Sequence, residues 1–590
     1  MSDRRILDAA RNWRDRDPDP VTRSALDRLI LDGDIAGLRV LFEHPLEFGT
    51  AGLRGPTGPG PARMNRLGCS LVATATAHVL RTSGADPQHR GVVIAHDARH
   101  GSEAFAAEVT DVFCAAGVPT SVIDGPAPTP LAAFAVAHLG AAAGIVVTAS
   151  HNPAQDNGIK IYWSDGAQIG SPVDAAIATE LDRLTSQVLG GSTGAPGPAG
   201  PRAEVTHLGR VAQRPGLVTA YMRQLAGLPG VGEATAAGTS PPDDRPLDDR
   251  PLVAHTALHG VGADLFAHAL TELGVARVVT VESQRDPDPE FPTVEFPNPE
   301  EPGAMSAVLD LAEEIAADAA LANDPDADRL AMAVRARDGR WRTLSGDELG
   351  ALFAWFLLEA TSGDGAPDDG APRDVADADR LLASTVVSSR LVAAMAAEAG
   401  VHHVETLTGF KHLSRPAMAH PQWYQLMAYE EALGYAIGPA ARDKDGIAAG
   451  VVACALIARL RADQRTAEDV LDHLARCHGA FVTDNGSHRI EGPDARRRLE
   501  DIVAGLEADP PGSLGGVPVT SRDRPGPGVL RLLLVDRTRV VLRPSGTEPK
   551  FKYYCEAVEA VHPGESPDAA RRRGGQRLEP VVAELRELLR

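Results

Sequence analysis

The sequence predicts an α/β fold made of several similar units in series. Short apolar, β-branched runs alternate with segments of helical character, which is the pattern of strand-helix units. The alternation occurs three times along the chain. At 590 residues the chain is also too long for one core, and the length prior gives roughly four domains.

In the first unit, Gly91–His96 reads as a buried strand. Ser102–Ala116 reads as a helix with Ser102 as N-cap and Gly117 as its stop signal. Val118–Ile123 is a second strand, Leu131–Leu139 a helix, and Ala143–Thr148 a strand that delivers Ser150 to a loop. The second unit runs through Pro251–Leu258 (strand), Gly262–Leu273 (helix), Ala276–Glu282 (strand) and Met305–Ala320 (helix) to an Asp-rich loop. That loop lies between strands predicted at Ala319–Ala322 and Leu330–Val334. The third unit has Leu381–Val387 (strand), Arg390–Ala399 (helix) and Val401–Leu407 (strand). The C-terminal part differs: Val529–Val535 and Arg539–Leu542 read as strands around a turn, and Glu579–Arg590 as a helix. Gly190–Pro201, Ser240–Pro251, Ser362–Arg373 and Asp509–Pro527 read as loops or linkers, rich in Gly, Pro or Asp and short of apolar side chains.

Composition narrows the function. Hydrophobic residues make up 43% and charged residues 23%, as in soluble globular proteins. A net charge of -22 argues against a nucleic-acid partner, while a local basic cleft could still take an anionic small substrate. The five cysteines (Cys69, Cys114, Cys454, Cys477 and Cys555) form no CxxC pair, which argues against a disulfide framework or a zinc site. The N-terminus has no apolar h-region. The most apolar run, Leu131–Ala149, is interrupted by His138, Gly140 and Gly144, so no membrane span is expected. A cytoplasmic location follows by elimination.

Six stretches are candidates for chemistry. In Thr148-Ala149-Ser150-His151-Asn152-Pro153 a strand ends at a hydroxyl, with tight turns expected at Asn152-Pro153 and Asp156-Asn157-Gly158 and a lysine, Lys160, ten residues on. Ser150 is either an ordinary turn or N-cap serine, or an exposed phosphoryl acceptor. Asp324-Pro325-Asp326-Ala327-Asp328-Arg329 alternates three carboxylates, which suits a hard divalent cation. An EF-hand loop would need Gly at its sixth and Glu at its twelfth position, where this chain has Arg329 and Arg335. A solvated acidic turn is the alternative, and Arg329 could balance charge or hold a phosphate oxygen. Arg543-Pro544-Ser545-Gly546-Thr547 could cradle a phosphate through backbone N–H groups, hydroxyls and a forked guanidinium, or form a polar hairpin turn. Glu430-Glu431 offers acceptors for sugar hydroxyls, a weak signal alone. Asp443-Lys444-Asp445-Gly446 and Thr408-Gly409-Phe410-Lys411 are equally weak alone.

Lysine use links these stretches. Of 58 basic residues only five are lysine: Lys160, Lys411, Lys444, Lys550 and Lys552. Four lie in or beside the motifs above, and Lys552 just beyond one. A lysine can lose its proton when its pKa is depressed and an arginine cannot, so acid–base work would resist replacement.

Together these residues resemble the α-D-phosphohexomutase superfamily, the phosphoglucomutase/phosphomannomutase family. The likeness rests on Thr148–Pro153, Asp324–Arg329, Glu430-Glu431-Ala432-Leu433-Gly434-Tyr435 and Arg543–Thr547, in the family's order, with Phe48-Gly49-Thr50-Ala51-Gly52-Leu53-Arg54-Gly55 as an N-terminal signature. It spans roughly residues 40 to 560. The resemblance implies three similar α/β domains and a C-terminal α+β (TATA-binding-protein-like) domain around a central cleft, with boundaries at residues 1–213, 214–342, 343–478 and 479–590. It implies Ser150 as phosphoserine, and Asp324, Asp326 and Asp328 as Mg²⁺ ligands together with a phosphoserine oxygen. Arg54, His151, Lys160, Arg329 and Lys444 would line the reaction centre. Thr408, Gly409, Lys411, Glu430, Glu431 and Gly434 would contact the sugar phosphate, and Arg543, Ser545, Gly546 and Thr547 the phosphate not being transferred.

The implied reaction is transfer between the 1- and 6-positions of a hexose phosphate through a sugar bisphosphate, which also serves as primer. The partner is then a small sugar phosphate, bound by a monomer or homodimer. Ala432 stands where the best-known hexose mutases carry serine, and Glu430-Glu431-Ala432 with Gln155-Asp156-Asn157-Gly158 is more similar to the branch holding phosphopentomutases. A pentose phosphate is thus an alternative substrate. A metal-dependent phosphatase is an alternative of another class, against which the second phosphate grip weighs.

Overall fold

The computed structural model describes residues 2–48, 52–192, 202–232, 250–361, 379–490, 495–544 and 550–589. They form two compact units, Met1–Ala333 with Gly434–Ile457, and Val334–Leu433 with Ala458–Arg590.

The first unit opens on three helices, Asp3–Arg14, Pro20–Leu31 and Ile35–Phe42, for which the sequence reading made no prediction. Ile6, Trp13, Leu38 and Phe42 are buried on them, and Trp13 meets Phe42 edge to face at 6.3 Å. The sheet beyond comprises β1 (Leu53–Pro56), β2 (Val92–His96), β3 (Thr120–Asp124), β4 (Ala143–Val147), β5 (Asp156–Trp163) and β6 (Val205–Arg210), in the order β1-β5-β4-β2-β3-β6. β2 runs parallel to β3 and β4, and β5 antiparallel to β4 and β1. Parallel neighbours need crossovers, supplied by the helices Ser102–Ala115 and Thr129–Leu139. β2 and β4 are buried along their whole length, as strands covered on both faces are. The helix cap differs from expectation: Gly101 is the N-cap, with φ +83°, and Ser102 instead donates its hydroxyl to Asp97 at 2.6 Å.

A second sheet in this unit has β7 (Leu252–Thr256), β8 (Arg277–Thr280), β9 (Ala319–Ala322) and β10 (Ala331–Arg335), ordered β10-β9-β7-β8. The helix expected over Met305–Ala320 spans only Ser306–Glu314. Ala316 takes φ +51°, and the chain turns there to enter β9. β9 and β10 pair antiparallel, so the Asp-rich segment is the loop of a hairpin.

In the second unit, β11 (Trp341–Thr343) precedes the helix Gly346–Ala360, which Ser345 and Glu348 close with a capping box. β12 (Arg380–Thr385), β13 (His402–Thr406) and β14 (Tyr424–Glu430) pair in parallel, with β12 in the middle. β15 (Gly434–Ile437) belongs to the first unit, where Gly434 bridges Arg329. The C-terminal sheet comprises β16 (Ala480–Arg489), β17 (Ser513–Leu514), β18 (Val517–Gly526), β19 (Val529–Leu534), β20 (Arg539–Pro544) and β21 (Lys550–Glu559), ordered β16-β21-β20-β19-β18-β17. Each pair is antiparallel.

Two expectations fail here. Asp509–Pro527 is not a linker, because it holds β17 and β18. Most of β18 is exposed and its register shifts twice, so its polar, Pro-containing sequence hides the strand. The final helix is Pro567–Leu588, beginning well before Glu579. Pro580 lies inside it and mimics a start signal, whereas the cap is Ser566. Among the described residues no helix is long and apolar enough to cross a membrane.

Candidate active site

Ser150 sits at the tip of the β4–β5 hairpin and is 1% exposed. The Thr148 hydroxyl accepts its backbone N–H at 2.9 Å, and its φ is +54°, in the left-handed region that serine rarely occupies. Asp156-Asn157-Gly158 is not a turn but the start of β5, which puts Lys160 opposite Val146. Gly158 permits this packing: a Cβ there would lie 2.6 Å from the Leu53 carbonyl oxygen and 2.7 Å from that of Thr148.

The hairpin of β9 and β10 holds Asp324, Asp326 and Asp328, each 0% exposed. Ala327, at φ +58°, reverses the chain between them. The Ser150 hydroxyl donates to Asp324 Oδ2 at 2.9 Å. Lys160 Nζ donates to Asp326 Oδ2 at 2.6 Å and Asp328 Oδ2 at 2.5 Å, and Lys444 Nζ lies 3.1 Å from Asp328 Oδ2. The Thr129 hydroxyl also donates to Asp326 Oδ2. The Oδ1 atoms of Asp326 and Asp328 are buried with no hydrogen-bond partner. One oxygen from each of the three carboxylates lies within 4.8 Å of the others. Buried, unpaired carboxylate oxygens at this spacing fit a hard divalent cation.

Burial, with Asp328 and Asp326 nearby, pushes the Asp324 carboxyl well above the usual range. Burial acts the same way on Asp326 and Asp328, but Lys160, joined at Asp328 by Lys444, outweighs it and holds both low. His151 Nδ1 is 3.1 Å from Ser150 Oγ. Burial, then the charges of Arg329 and Arg54, keep this imidazole well below its ordinary pKa.

The other cations of the first unit come in from its edges. Arg54 is on β1, opposite Gly158 of β5, and feels Asp326 and Asp328. The Arg329 backbone N–H donates to Asp324 Oδ1, and its guanidinium reaches Glu300 at 3.2 Å.

Several positioning groups were not foreseen. Asp443 accepts from the Tyr162 hydroxyl and the Gln168 amide at 2.8 Å each, which sets Lys444 onto Asp328. Asp445 accepts from the Tyr221 hydroxyl and caps the helix Gly446–Ala462 through the N–H groups of Ile447 and Ala448. Gly446 must be glycine, because a Cβ would stand 2.2 Å from the Arg329 carbonyl oxygen. Arg99 donates to backbone carbonyls of the Ser150 loop. Its signal was present: a charged pair, Asp97 and Arg99, directly after a fully buried strand end, where α/β sheets place ligands.

The remaining predicted residues, Gly434 of the first unit excepted, lie in the second unit. Thr408 and Gly409 (φ +101°) follow β13, and Lys411 is in the helix Phe410–Leu413. Glu430 ends β14, and Glu431 accepts from the Thr385 hydroxyl at 3.4 Å. Arg543, on β20, donates to the Tyr554 hydroxyl at 3.2 Å. Burial would lower its pKa, but Tyr554, Glu431 and Glu430 outweigh that and raise it. Ser545, Gly546 and Thr547 lie outside the described residues.

Comparison with known proteins fits this arrangement. Three models of the phosphoglucomutase/phosphomannomutase family, its alpha/beta/alpha domains I, II and III, match residues 45–188, 243–339 and 345–477. The chain belongs to this family. It is 32% identical to a phosphopentomutase of Mus musculus, over 94% of this chain and 90% of that protein. It is 30% identical to a phosphoglucomutase of Staphylococcus epidermidis, over 88% and 92%. Its fold is similar to the crystal structure of a phosphoglucomutase/phosphomannomutase family protein from Burkholderia thailandensis, with TM-score 0.63 and 20% identity over 90% of this chain and 96% of that one. The protein is accordingly a phosphosugar mutase, an isomerase of the intramolecular phosphotransferase class.

Proposed function

We propose that Ser150 carries the phosphoryl group and that the substrate is an aldose 1-phosphate, with pentose phosphates preferred. The observation that carries this reading is the contact of Ser150 Oγ with Asp324 beside the unpaired oxygens of Asp326 and Asp328, all buried in one unit. A sugar hydroxyl attacks phosphorus, the P–Oγ bond of phospho-Ser150 breaks, and the hydroxyl proton leaves while Oγ regains one. The product is a sugar bisphosphate, and the reverse step at its other phosphate restores phospho-Ser150. Asp324, Asp326 and Asp328 would hold Mg²⁺, which when bound offsets charge on the phosphoryl oxygens. His151, 3.1 Å from Oγ, is placed to pass the proton at that atom, while Lys160 is committed to two carboxylates. Lys444, Arg54 and Arg329 supply further positive charge. Glu430, Glu431, Thr408, Gly409, Lys411 and Gly434 would bind sugar hydroxyls and phosphate, and Arg543 with Ser545, Gly546 and Thr547 the phosphate at rest.

The similarity to the mouse phosphopentomutase supports pentose phosphates. The Staphylococcus phosphoglucomutase supports a second reading, hexose 1- to 6-transfer. Ribose, deoxyribose, glucose and mannose 1-phosphates, assayed with Mg²⁺ and a bisphosphate primer, decide between them: the highest kcat/KM should fall on a pentose, and a clear hexose preference overturns that choice. Ser150→Ala should abolish mutase turnover and phosphate incorporation. Near-normal turnover by that variant would remove the phosphoserine reading.

A further inference from the structure

We propose that Arg99 is a positioning residue that holds the Ser150 loop closed, so that the phosphoryl group passes to a sugar hydroxyl and not to water. This rests on Ser150 being the phosphate carrier. The Arg99 side chain is 1% exposed and lies beneath the loop. Nη2 donates to the carbonyl oxygens of Ser150 (2.6 Å) and Asn152 (2.5 Å), and Nη1 to those of Pro153 (2.7 Å) and Asp156 (3.1 Å). One rigid fork of donors thereby pins four carbonyls, three in the Ser150 loop and one at the start of β5.

The guanidinium is itself fixed from two sides. Its Nε faces Asp97 Oδ2 at 3.3 Å, and Asp97 Oδ1 accepts from the Ser102 hydroxyl and the Arg99 N–H. The Phe291 ring, also buried, packs 4.9 Å from the guanidinium carbon. The turn needs this support because Ser150 is held at φ +54°. A loosened turn would displace Oγ and admit water. Water would then attack phosphorus, the P–Oγ bond would break, and the products would be inorganic phosphate and the free Ser150 hydroxyl. One proton leaves the water and one joins Oγ, so the step balances without another reactant.

The test uses the full chain, with Ser150 phosphorylated by α-D-glucose 1,6-bisphosphate, in the variants Arg99→Met and Arg99→Lys. Mass spectrometry follows phosphate occupancy and half-life on Ser150. Mutase kcat, KM, inorganic phosphate released per turnover and Tm are measured alongside. For Arg99→Met, kcat should fall about 100-fold, the size of effect a small misplacement of a reacting group produces. KM should change little, the phosphoserine half-life should shorten, and phosphate release per turnover should rise. Lysine has three donors from one point and should recover only part. A folded Arg99→Met protein with wild-type phosphoserine half-life and phosphate release overturns the proposal, as would full recovery by lysine. If the methionine variant does not fold, the same readouts on Arg99→Lys decide. Absence of phosphate from wild-type Ser150 would instead sink the phosphoserine reading itself, so the two failures are distinct.

Discussion

Replacing Lys160 by methionine should couple stability to divalent cations. The ammonium and both carboxylates it meets are fully buried, at 2.6 and 2.5 Å. At an effective dielectric near 20, each contact is worth about 6 kcal/mol before desolvation. Desolvation cancels much of that, and removing one partner of a buried pair costs about 3–5 kcal/mol because the other charge is left uncompensated. Against a typical stability of about 5–15 kcal/mol the loss is large. A bound cation would offset the same uncompensated charge, and binding to the folded state alone adds stability by mass action. Lys160→Met should therefore lose about 3–5 kcal/mol in EDTA and distinctly less in excess Mg²⁺. Because the chain has two compact units, hydrogen exchange of first-unit amides under increasing urea is the suitable assay. Equal losses in EDTA and Mg²⁺, or a variant as stable as wild type in EDTA, would refute the reasoning.

Two other outcomes are expected. Burial, with Glu431 and Glu556 nearby, raises the Asp347 pKa from 3.8 to about 7. The folded state therefore keeps this proton while the unfolded chain releases it, so the group's contribution to stability falls as pH rises from about 4 to about 7. Asp347→Asn keeps an acceptor for the Ser389 N–H and the Tyr429 hydroxyl. The stability gap between variant and wild type should widen over that window, by at most about 4 kcal/mol, and then level off. Urea melts at pH 4.5 and 8 check it, and a gap independent of pH rejects it. Gly158→Ala should cost about 1–3 kcal/mol by overpacking, since the two nearest atoms its Cβ would strike are backbone oxygens and the third is Cγ of Arg54. Circular dichroism against urea measures that loss, and an unchanged midpoint would contradict it.

The elements the sequence revealed are those in which burial and secondary structure agree. β2 and β4 are almost wholly apolar because both faces are covered, and Asp324–Asp328 stood out because three carboxylates in alternation suit a hard divalent cation. What stayed hidden has a physical cause in each case. Only Val517 and Val519 at the start of β18 pack on the core, and the strand beyond them is mostly polar and exposed. The helix Pro567–Leu588 carries an internal proline. Asp443 and Asp445 looked like an ordinary acidic turn because their partners, Tyr162 and Tyr221, lie hundreds of positions away in sequence. Arg99 could be suspected from its place after β2, but the four carbonyls it holds depend on how the Ser150 loop turns back over it.

The retention of lysine has a more direct explanation at one position than acid–base chemistry. Lys160 projects from β5 and places a compact ammonium against two carboxylate oxygens of neighbouring residues in the Asp loop, with no solvent around it. A guanidinium spreads its charge over a plane and presents donors in a fixed fork, so it would force the two carboxylates apart or move the strand. Lys444 reaches Asp328 from a separate segment under the same constraint of space, being itself largely buried. Arg329 meets the cluster through its backbone N–H, which donates to Asp324 Oδ1, while its guanidinium reaches Glu300. Size and point-charge geometry at the Asp cluster thus select lysine where the rest of the chain favours arginine, and the same compactness leaves Oδ1 of Asp326 and Asp328 open for a second cation.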